Sequence, residues 1–534
     1  MLAGCAISGM QSSLSKVNVP RASLTAAARG SVLCLALALT ACATVDFQSP
    51  KTVSTAPLDT YDTRLGKTLT PTRSKPNDLS GFLMLDASID ALTARLMLAE
   101  RAERSIDAQY YMVSDDIIGR VFLQSLLLAA DRGVQIRLLL DDQNTSGMDT
   151  LLAAVADHPN ISLRLFNPYA SRKFRAMDVW DFSRLNRRMH NKSFTIDNQV
   201  TIVGGRNIAT EYFALNPDYN FGDLDTMAIG PVVRDTSIMF DRFWNHERAV
   251  PFAQVVNHAD DKGERYREVR ENLASSVQEI RNTDYADAVR ESYEEFSLFQ
   301  LDDYIWAPYE FVYDSPDKAL TRSLKSKNDL ITTPLGAVAR NAERELLIIS
   351  PYFVALKPGI EGISALARKG VQIDVVTNGL AASDHLLVYG GYAPVRKPLL
   401  REGVRFYEVR GDITLSGTRS AGTADAKSSL HTKAFIADRR YFFLGSFNWD
   451  PRSANINTEM GILIDAPDIA DHYASLIYQT APTNSYEVFL EGNSLRWRTV
   501  EDGKEVIYST EPESSWWTRT QGNLFRLLPI RSQL

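Results

Sequence analysis

Apolar and polar positions follow the same order of elements in the two halves of the chain. In the first half, residues 105–111 predict a strand, residues 118–132 predict a helix, and the nearly unbroken apolar run at 133–140 predicts a buried strand. The same strand, helix and strand recur in the second half, at residues 346–353, 360–369 and 370–376. Strands that alternate with helices predict an α/β sandwich in each half.

The spacing between the repeated elements is nearly constant. Two Gly-Val-Gln-Ile segments begin at Gly133 and Gly370, which are 237 residues apart, and two later histidines, His190 and His431, are 241 residues apart. A near-constant offset across separate elements indicates a duplicated unit.

The duplication and the changes in composition divide the chain into six regions. Residues 42–80 are rich in Thr, Ser, Pro and Lys and lack apolar periodicity, so they predict a tether. We expect the regions to be a signal peptide at 1–41, the tether at 42–80, a first half at 81–254, a helical connector packed against both halves at 255–335, a second half at 336–482 and a C-terminal extension at 483–534.

The N-terminus predicts a lipoprotein signal. Three basic residues precede an apolar run at 31–40, which is shorter than the roughly 20 residues that cross a bilayer. The run ends in Leu-Thr-Ala-Cys42, which is similar to a bacterial lipobox, so we expect Cys42 to be lipidated. Ala43 then favours the outer membrane if the source is Gram-negative. We therefore expect a lipid-anchored protein of the cell envelope that faces the periplasm; an ordinary cleaved secretory signal is the alternative.

Composition and charge narrow the class of substrate. The 534 residues are 45% hydrophobic and 23% charged, which is a globular composition. Removal of Lys16, Arg21 and Arg29 with the signal would change the formal net charge from −7 to −10. Such acidity makes nucleic acid an unlikely partner, because binding to its backbone requires clustered Lys and Arg.

Two copies of one polar motif carry the candidate chemistry. Each copy has the pattern H-x-K-x4-D followed by G-[GS]-x-N, and the x positions are equally spaced in both. The motif residues are His190, Lys192, Asp197, Gly204, Gly205 and Asn207 in the first half, and His431, Lys433, Asp438, Gly445, Ser446 and Asn448 in the second. The histidine segments alternate in character and predict strands, in which residues i and i+2 share a face, so each His and Lys should point into one site.

These residue types suit cleavage of a phosphodiester without a metal or a cofactor. The reaction needs a nucleophile, an acid for the leaving oxygen and positive charge around the nonbridging oxygens. One imidazole can attack phosphorus and the other can protonate the leaving group. Lys192 and Lys433 can hold the phosphate, with Asn207 and Asn448 as neutral donors. The motif glycines, together with Ser446, are expected where the backbone approaches the phosphate closely.

Carboxylates should orient the two imidazoles. Asp223 and Asp225 follow the first motif, and Glu459 follows the second. We favour Asp225 and Glu459, because residues 224–229 and 458–463 look like equivalent strands. Asp197 and Asp438 belong to the motif but fall on the opposite strand face from the histidines, so we expect them to brace it.

The motifs resemble those of the phospholipase D superfamily. Segments at 185–190, 450–453, 457–459 and 527–530 look like its bacterial C-type cardiolipin synthase branch, and the similarity covers most of the mature chain. The resemblance implies two pseudosymmetric α/β/α halves with mixed sheets and an active site at their interface. It also implies transfer of phosphatidyl groups through a phosphohistidine, with His190 as the nucleophile and His431 as the acid and later the base. Gly205 stands where the second motif has Ser446, which makes the site asymmetric.

Two further segments are candidates for contact with lipid. Arg172, Lys173, Arg175, Arg184, Arg187 and Arg188 are interleaved with aromatic residues directly before the first motif. They could hold anionic headgroups at a membrane, or they could form an ordinary solvated charged face. Residues 378–384 resemble a family loop near the site.

The resemblance leaves more than one function open. Phosphatidyl transfer to an alcohol, for example from one phosphatidylglycerol to another, and hydrolysis by water would use the same intermediate. A phosphodiesterase or nuclease and a non-enzymatic lipid-binding protein are less favoured alternatives. The phospholipid substrate and a lipid-anchored membrane are the expected partners; the sequence does not indicate the oligomeric state.

Overall fold

The computed structural model describes residues 45–256, 262–295, 300–320, 330–413, 426–526 and 531–534. The expected signal peptide, Cys42 and segment 527–530 lie outside these ranges. Residues 46–534 form one compact unit.

The first half contains nine strands among its described residues. They are β1 Leu79–Leu85, β2 Ser105–Tyr110, β3 Gln135–Asp141, β4 Ile161–Phe166, β5 Ser193–Ile196, β6 Val200–Gly204, β7 Tyr219–Gly222, β8 Asp225–Ile229 and β9 Ala249–Pro251. The helices that accompany them are α1 Arg64–Thr68, α2 Ser88–Arg101, α3 Ile117–Asp131, α4 Asp149–Ala156, α5 Phe182–Leu185, α6 Pro231–Trp244 and α7 Phe252–Val255.

The connector and the second half continue the chain. The connector contains α8 Lys262–Arg281, α9 Asp284–Glu295, β10 Ile305–Tyr313 and α10 Thr332–Arg340. The strands of the second half and the extension are β11 Glu345–Ile349, β12 Gln372–Asn378, β13 Arg405–Val409, β14 Lys427–Leu430, β15 Ala434–Ala437, β16 Tyr441–Gly445, β17 Met460–Asp465, β18 Ser485–Glu491, β19 Ser494–Glu501 and β20 Lys504–Tyr508. The helices are α11 Lys357–Arg368, α12 Leu386–Arg401, α13 Pro451–Asn455, α14 Pro467–Asn484 and α15 Trp516–Phe525.

The two halves have the same sheet topology, which confirms the predicted α/β class with mixed sheets. In the first half β2, β3 and β4 are parallel, and β5, β6 and β8 continue the sheet antiparallel from β2. In the second half β11, β12 and β13 are parallel, and β15, β16 and β17 continue antiparallel from β11. The three elements predicted in each half are all present, with shifts of a few residues at their ends.

The connector is part of the sheet and does not consist of helices alone. Strand β10 pairs antiparallel with β1 of the first half and with β17 of the second, so one sheet of 18 strands runs through the described residues. The prediction of a helical connector is therefore wrong for 305–313, where a mostly apolar segment rich in aromatic residues forms a strand. Helices α8 and α9 pack on the first half.

Most of the expected tether packs against the first half. The amide of Ala56 donates to the Asp241 carboxylate at 3.1 Å, and Leu65 and Leu69 are buried in the core of the first half. The prediction of a free spacer at 42–80 is wrong for residues 46–78, because polar backbone groups and scattered apolar side chains there find partners that no periodic pattern reveals.

A second pairing joins the halves beside the candidate site. Strand β7 of the first half and β14 of the second form a separate parallel ribbon, with Gly222 opposite Leu430. One apolar core contains side chains from both halves. Val203 and Met239 come from the first half, and Ile436 and Ile462 come from the second. The halves therefore share a core, and their motif loops are held at the shared boundary.

Candidate active site

Both motif histidines lie just before a strand of their own half and are held by the backbone of the other half. The strand prediction holds only from the first residue of β5 and of β15 onward. The amide of His190 donates to the carbonyl of Thr458 at 2.9 Å, and the amide of His431 donates to the carbonyl of Gly222 at 2.8 Å. Each imidazole is therefore positioned by contacts between sequence segments more than 200 residues apart.

The carboxylates that orient the imidazoles also come from the opposite half. His190 Nδ1 lies 2.8 Å from Glu459 Oε2, and His431 Nδ1 lies 2.5 Å from Asp223 Oδ2. A carboxylate at this distance accepts a hydrogen bond from Nδ1–H and so leaves the Nε2 lone pair available for reaction. Neither half can orient its own histidine without the other.

Asp225 does not contact a motif histidine, so the prediction that it orients one is wrong. Its carboxylate is paired with Arg95 at 2.8 Å and with Arg206 at 3.4 Å, and all three side chains are buried. The strand register explains the difference: Gly204 pairs with Asp225, whereas the equivalent Gly445 pairs with Gly461. The counterpart of Glu459 is therefore Asp223, although the similarity between residues 224–229 and 458–463 favours Asp225.

The motif glycines make room for neighbouring protein atoms. A Cβ on Gly204 would lie 2.1 Å from Asp225 Oδ1, one on Gly205 would lie 2.2 Å from Asp223 Oδ1, and one on Gly445 would lie 2.2 Å from a backbone carbonyl. The motif glycines therefore lie close to protein atoms and not to a phosphate. Gly204 and Gly205 lie against Asp225 and Asp223 at the start of β8, and Gly445 lies against the start of β17. This corrects the predicted reason for these glycines.

Ser446 supports the carboxylate that orients His190. Its hydroxyl donates to Glu459 Oε2 at 2.6 Å, and Ser453 donates to Glu459 Oε1 at 2.9 Å. Together with the imidazole, these groups give the buried carboxylate three hydrogen bonds. Ser446 therefore hydrogen-bonds to Glu459 and does not line the cavity, so the expected close approach to a phosphate at this position is wrong.

Asp197 and Asp438 brace the hairpins that carry the motifs, as expected. Each carboxylate accepts hydrogen bonds from three consecutive backbone amides, which are those of residues 103–105 for Asp197 and 343–345 for Asp438. Both residues have φ near +50°, in the left-handed region that a tight hairpin turn requires. Neither lines the cavity that contains the histidines.

The motif lysines are buried beneath the histidines. Lys192 Nζ donates to the carbonyl of His190 at 2.8 Å, and Lys433 Nζ makes the same bond to His431. The exposed fraction is 2% for Lys192 and 0% for Lys433. An ammonium group keeps two further protons after one such bond.

Burial changes the titration of all four basic motif groups. It lowers the pKa of His190 and of His431 to about 4, although the facing carboxylates oppose this shift. It also lowers the pKa of Lys192 to about 7 and that of Lys433 to about 8. Both imidazoles are consequently neutral near pH 7.

For the two orienting carboxylates, the neighbouring positive groups affect the pKa more than burial does. Burial favours a higher pKa for Glu459 and Asp223, but the facing histidine and the lysines outweigh it and hold the pKa of each carboxyl below its ordinary value. The site near neutral pH therefore combines ionised carboxylates with neutral imidazoles.

Both histidines line one cavity of about 860 Å³. The side chains of Asn207, Asn448 and Asn457 also line it, and in the described part of the molecule their buried Oδ1 atoms have no hydrogen-bond partner. Buried polar atoms without partners at the wall of a cavity indicate a polar ligand. The motif predicts Asn207 and Asn448, whereas Asn457 belongs to one of the segments that carry the family resemblance.

Sequence reasoning missed two tyrosines that contact the histidines. The ring centroids of Tyr111 and His190 lie 5.0 Å apart, and the two rings pack edge to face. The hydroxyl of Tyr212 accepts a hydrogen bond from Asn207 at 2.8 Å and lies 3.4 Å from His431 Nε2. Burial raises the pKa of Tyr212 well above its ordinary value, so its hydroxyl keeps its proton. No motif pointed to either residue, because only the fold brings them to the histidines.

The segment at 378–384 lies at the site, as the resemblance implied. The side chain of Asn378 exchanges two 2.9 Å hydrogen bonds with the backbone of Leu430, directly before His431. Asp384 lines the cavity and accepts a hydrogen bond from Tyr352 at 2.7 Å.

The basic stretch before the first motif is largely paired within the protein. Arg172 bonds to Asp142 and Asp149, Arg175 donates to the carbonyls of residues 142 and 143, and Arg188 bonds to Asp141. Arg184 pairs with Asp181, and Arg187 donates to a backbone carbonyl. The contacts therefore favour a structural reason for these arginines over headgroup binding.

Metal-binding clusters and membrane-spanning helices are both absent from the described ranges. No group of three or more His, Cys, Asp or Glu side chains there is arranged to hold a metal ion. No helix there is long and apolar enough to span a membrane.

Comparisons with known proteins agree with the duplicated site. The family model described as cardiolipin synthase, PLD-like domain matches residues 96–244 and 337–480, one match for each half. Cardiolipin synthase C of Escherichia coli is 39% identical over 480 residues, which cover 88% of this chain and 99% of that protein. An uncharacterized protein of Helicobacter pylori is 30% identical over 490 residues, or 91% of this chain and 96% of its own.

A solved structure has the same fold. The crystal structure of phosphatidylserine synthase from Haemophilus influenzae superposes with a TM-score of 0.53 and 14% sequence identity, over 88% of this chain and 100% of that one. At this level of identity the similarity concerns the fold alone.

Proposed function

Because this chain belongs to the family of cardiolipin synthases with phospholipase D-like domains, we propose that it is a phosphatidyltransferase that joins phospholipids through a phosphohistidine. One observation carries the proposal: two neutral imidazoles line the same cavity, and each is oriented through Nδ1 by a carboxylate of the opposite half. Paired imidazoles in this arrangement can exchange one phosphoryl group between two alcohols.

In the proposed first step, His190 Nε2 attacks the phosphorus of a bound phospholipid. The bond between nitrogen and phosphorus forms while the bond to the headgroup oxygen breaks, and the headgroup leaves as an alcohol with a proton from His431. Free His431 is neutral near pH 7, but an incoming anionic phosphate favours the protonated form of the nearby imidazole. The assignment of His190 as nucleophile is supported by the Tyr212 hydroxyl, which already lies beside the reacting nitrogen of His431.

In the proposed second step, an alcohol replaces the histidine. His431 accepts the proton of the acceptor hydroxyl, the new bond between oxygen and phosphorus forms, and the bond to His190 breaks. With phosphatidylglycerol as both donor and acceptor, the products would be cardiolipin and glycerol. Lys192 and Lys433 would stabilise the charge on the nonbridging oxygens. Asn207, Asn448 and Asn457 would accept a hydrogen bond from the alcohol through Oδ1 and donate to the phosphate through Nδ2.

The proposal extends to location. If Cys42 is lipidated after cleavage of the signal, the enzyme would be anchored in the cell envelope and would meet its substrate in the membrane. Mass spectrometry of the mature N-terminus would test this, and an unmodified Cys42 would contradict it.

Product analysis tests the reaction itself. The purified full chain is incubated with phosphatidylglycerol, alone and with phosphatidylethanolamine or free glycerol, and the lipids are identified by mass spectrometry. Cardiolipin is the expected product. Phosphatidic acid as the sole product would identify a hydrolase and contradict the transferase proposal. A chelator serves as a control, because strong inhibition would contradict chemistry that needs no metal.

A further inference from the structure

The cavity that contains the motif histidines has an apolar rim. We propose that this rim docks on a phospholipid bilayer through two segments that insert among the lipids. The first, which we call the aromatic turn, presents Phe174, Met177, Val179, Trp180 and Phe182. The second, the tryptophan face, is the exposed side of α15 with Trp516, Trp517 and Leu524. The inference rests on the proposed function in one respect, since it takes the substrate of the cavity to be a membrane lipid.

Both segments expose large apolar side chains. Trp180 is 83% exposed, Phe174 71% and Trp516 70%. Single exposed apolar residues are common, but large ones that cluster in two short segments mark an interaction surface. Tryptophan is typical of the boundary between water and lipid, because its ring is apolar and its indole N–H needs a polar partner.

Two hydrogen bonds connect the aromatic turn and the residues directly after it to the edge of the cavity. Arg175 Nη1 donates to the carbonyl of Gln143 at 2.8 Å, and Gln143 lines the cavity. Asn186, just after α5, donates to Gln533 Oε1 at 2.8 Å, and Gln533 also lines the cavity. The turn therefore belongs to the rim.

The tryptophan face is fastened to the same rim through α12. Gly390 of α12 lies so close to α15 that a Cβ there would be 2.8 Å from the Cβ of Phe525. Phe525 lines the cavity, and so does Leu387 in the first turn of α12, which is itself 40% exposed. The mouth of the cavity thus has apolar side chains on two sides.

The charges of the rim indicate whether it binds the apolar interior of a bilayer or an anionic surface. The arginines within and around the aromatic turn are paired with acidic or carbonyl groups of the protein, as described above. Lys173 and Asp181 are the exposed charged residues of segment 173–182, and Asp181 pairs with Arg184; the other exposed side chains of this segment are apolar. We therefore expect docking to depend on apolar burial, with little dependence on salt or on anionic lipid.

Intrinsic fluorescence tests the docking directly in the full chain. The chain has seven tryptophans, of which Trp180, Trp516 and Trp517 are the exposed ones, whereas Trp244 and Trp497 are buried and Trp306 and Trp449 are half-buried. The protein is reconstituted with phosphatidylcholine vesicles that carry bromine on the acyl chains, which quench tryptophan on contact. We expect strong quenching in the wild type and little in a W180F/W516F/W517F variant, at low and high salt alike.

Three outcomes would overturn the proposal. Equal quenching in the wild type and the triple variant would show that these residues do not enter lipid. Lack of lipid quenching together with protection from iodide would indicate a protein occupant of the rim. Quenching that requires anionic lipid and disappears in high salt would contradict docking through apolar burial.

An activity measurement separates this inference from the proposed function. A W180S/W516S/W517S variant should lose about tenfold or more activity on phosphatidylglycerol in bilayers and should retain activity on a short-chain, monomeric form. The matched control is Y61S/I507S, which removes two side chains that are each 54% exposed and that do not line the cavity. If the wild type converts neither form, the proposed function fails, and the quenching result still decides the docking surface.

Discussion

The two halves hold the same motif in different surroundings. His190 is oriented by Glu459, which also accepts hydrogen bonds from Ser446 and Ser453. His431 is oriented by Asp223, beside which Gly205 leaves no space for a side chain. The duplication thus keeps the backbone positions equivalent, while the side chains around them make one imidazole different from the other.

The difference is more than local, because each half contributes the carboxylate that the other half needs. A duplicated protein could in principle keep two independent sites, but the crossed pairs make one composite site.

Replacement of either histidine by alanine should lower kcat by about 10³-fold or more, because the nucleophile and the acid are both required. A substrate with a good leaving group, such as a nitrophenyl phosphodiester, needs no acid. It should therefore rescue His431→Ala in part and leave His190→Ala inactive. Rates of nitrophenol release measure this, and the reverse pattern would exchange the assignments of the two histidines.

Replacement of the orienting carboxylates should lower kcat by about 10²- to 10⁴-fold for both Glu459→Gln and Asp223→Asn, through loss of the correct imidazole tautomer. The control is Asp225→Asn, which breaks a buried ion pair and should instead lower the free energy of unfolding by about 3 to 5 kcal/mol. Kinetics and thermal melts together separate the two effects. A stable, inactive Asp225→Asn protein would contradict the crossed pairing.

The pH dependence of kcat/KM should reveal the two lysines. Each ammonium is charged below its pKa and neutral above it, so phosphate stabilisation is lost as pH rises through about 7 for Lys192 and about 8 for Lys433. Protonation of the nucleophile His190 should reduce activity below about pH 4. A profile that stays flat from pH 6 to 9 would show that the lysine charge is not needed.

Removal of the serine hydroxyl beside Glu459 should have a moderate effect. Ser446→Ala deletes a hydrogen bond to a charged acceptor, worth about 1.5 to 3 kcal/mol, and should reduce kcat by about tenfold or more. In the first half, Gly205→Ser should be far more harmful, because its Cβ would collide with Asp223. Similar activity in the two variants would mean that the halves are equivalent at this position.

The bracing aspartates should affect stability and leave kcat nearly unchanged. Asp197→Asn and Asp438→Asn each weaken contacts to three backbone amides, at a cost of about 1 to 3 kcal/mol. Asp197 is buried, whereas Asp438 is half-buried, so the loss should be greater in the first half. Denaturant unfolding measures both, and a large loss of kcat without unfolding would place either residue in the chemistry.

Much of the fold followed from local pattern. The β2, α3 and β3 unit and its repeat were visible because apolar periodicity and turn residues are properties of short segments. Strand β10 was hidden, since a strand that joins two sheets is defined by partners far away in the chain. The packing of residues 46–78 was hidden for the same reason: its contacts are irregular hydrogen bonds that leave no period in the sequence.

The motif histidines, lysines and asparagines, the duplication and the family can be recognised without a structure, because identical spacing in two copies is a local and repeated signal. The pairing of each carboxylate with its histidine depends on how the chain folds. Asp223 and Asp225 are only two positions apart, yet Asp223 contacts His431 and Asp225 contacts Arg95. These contacts depend on how β6 pairs with β8 and on how the two halves meet. Strand register and contact between halves are set by the packing of the whole molecule, so they cannot be read from the order of residues within either half.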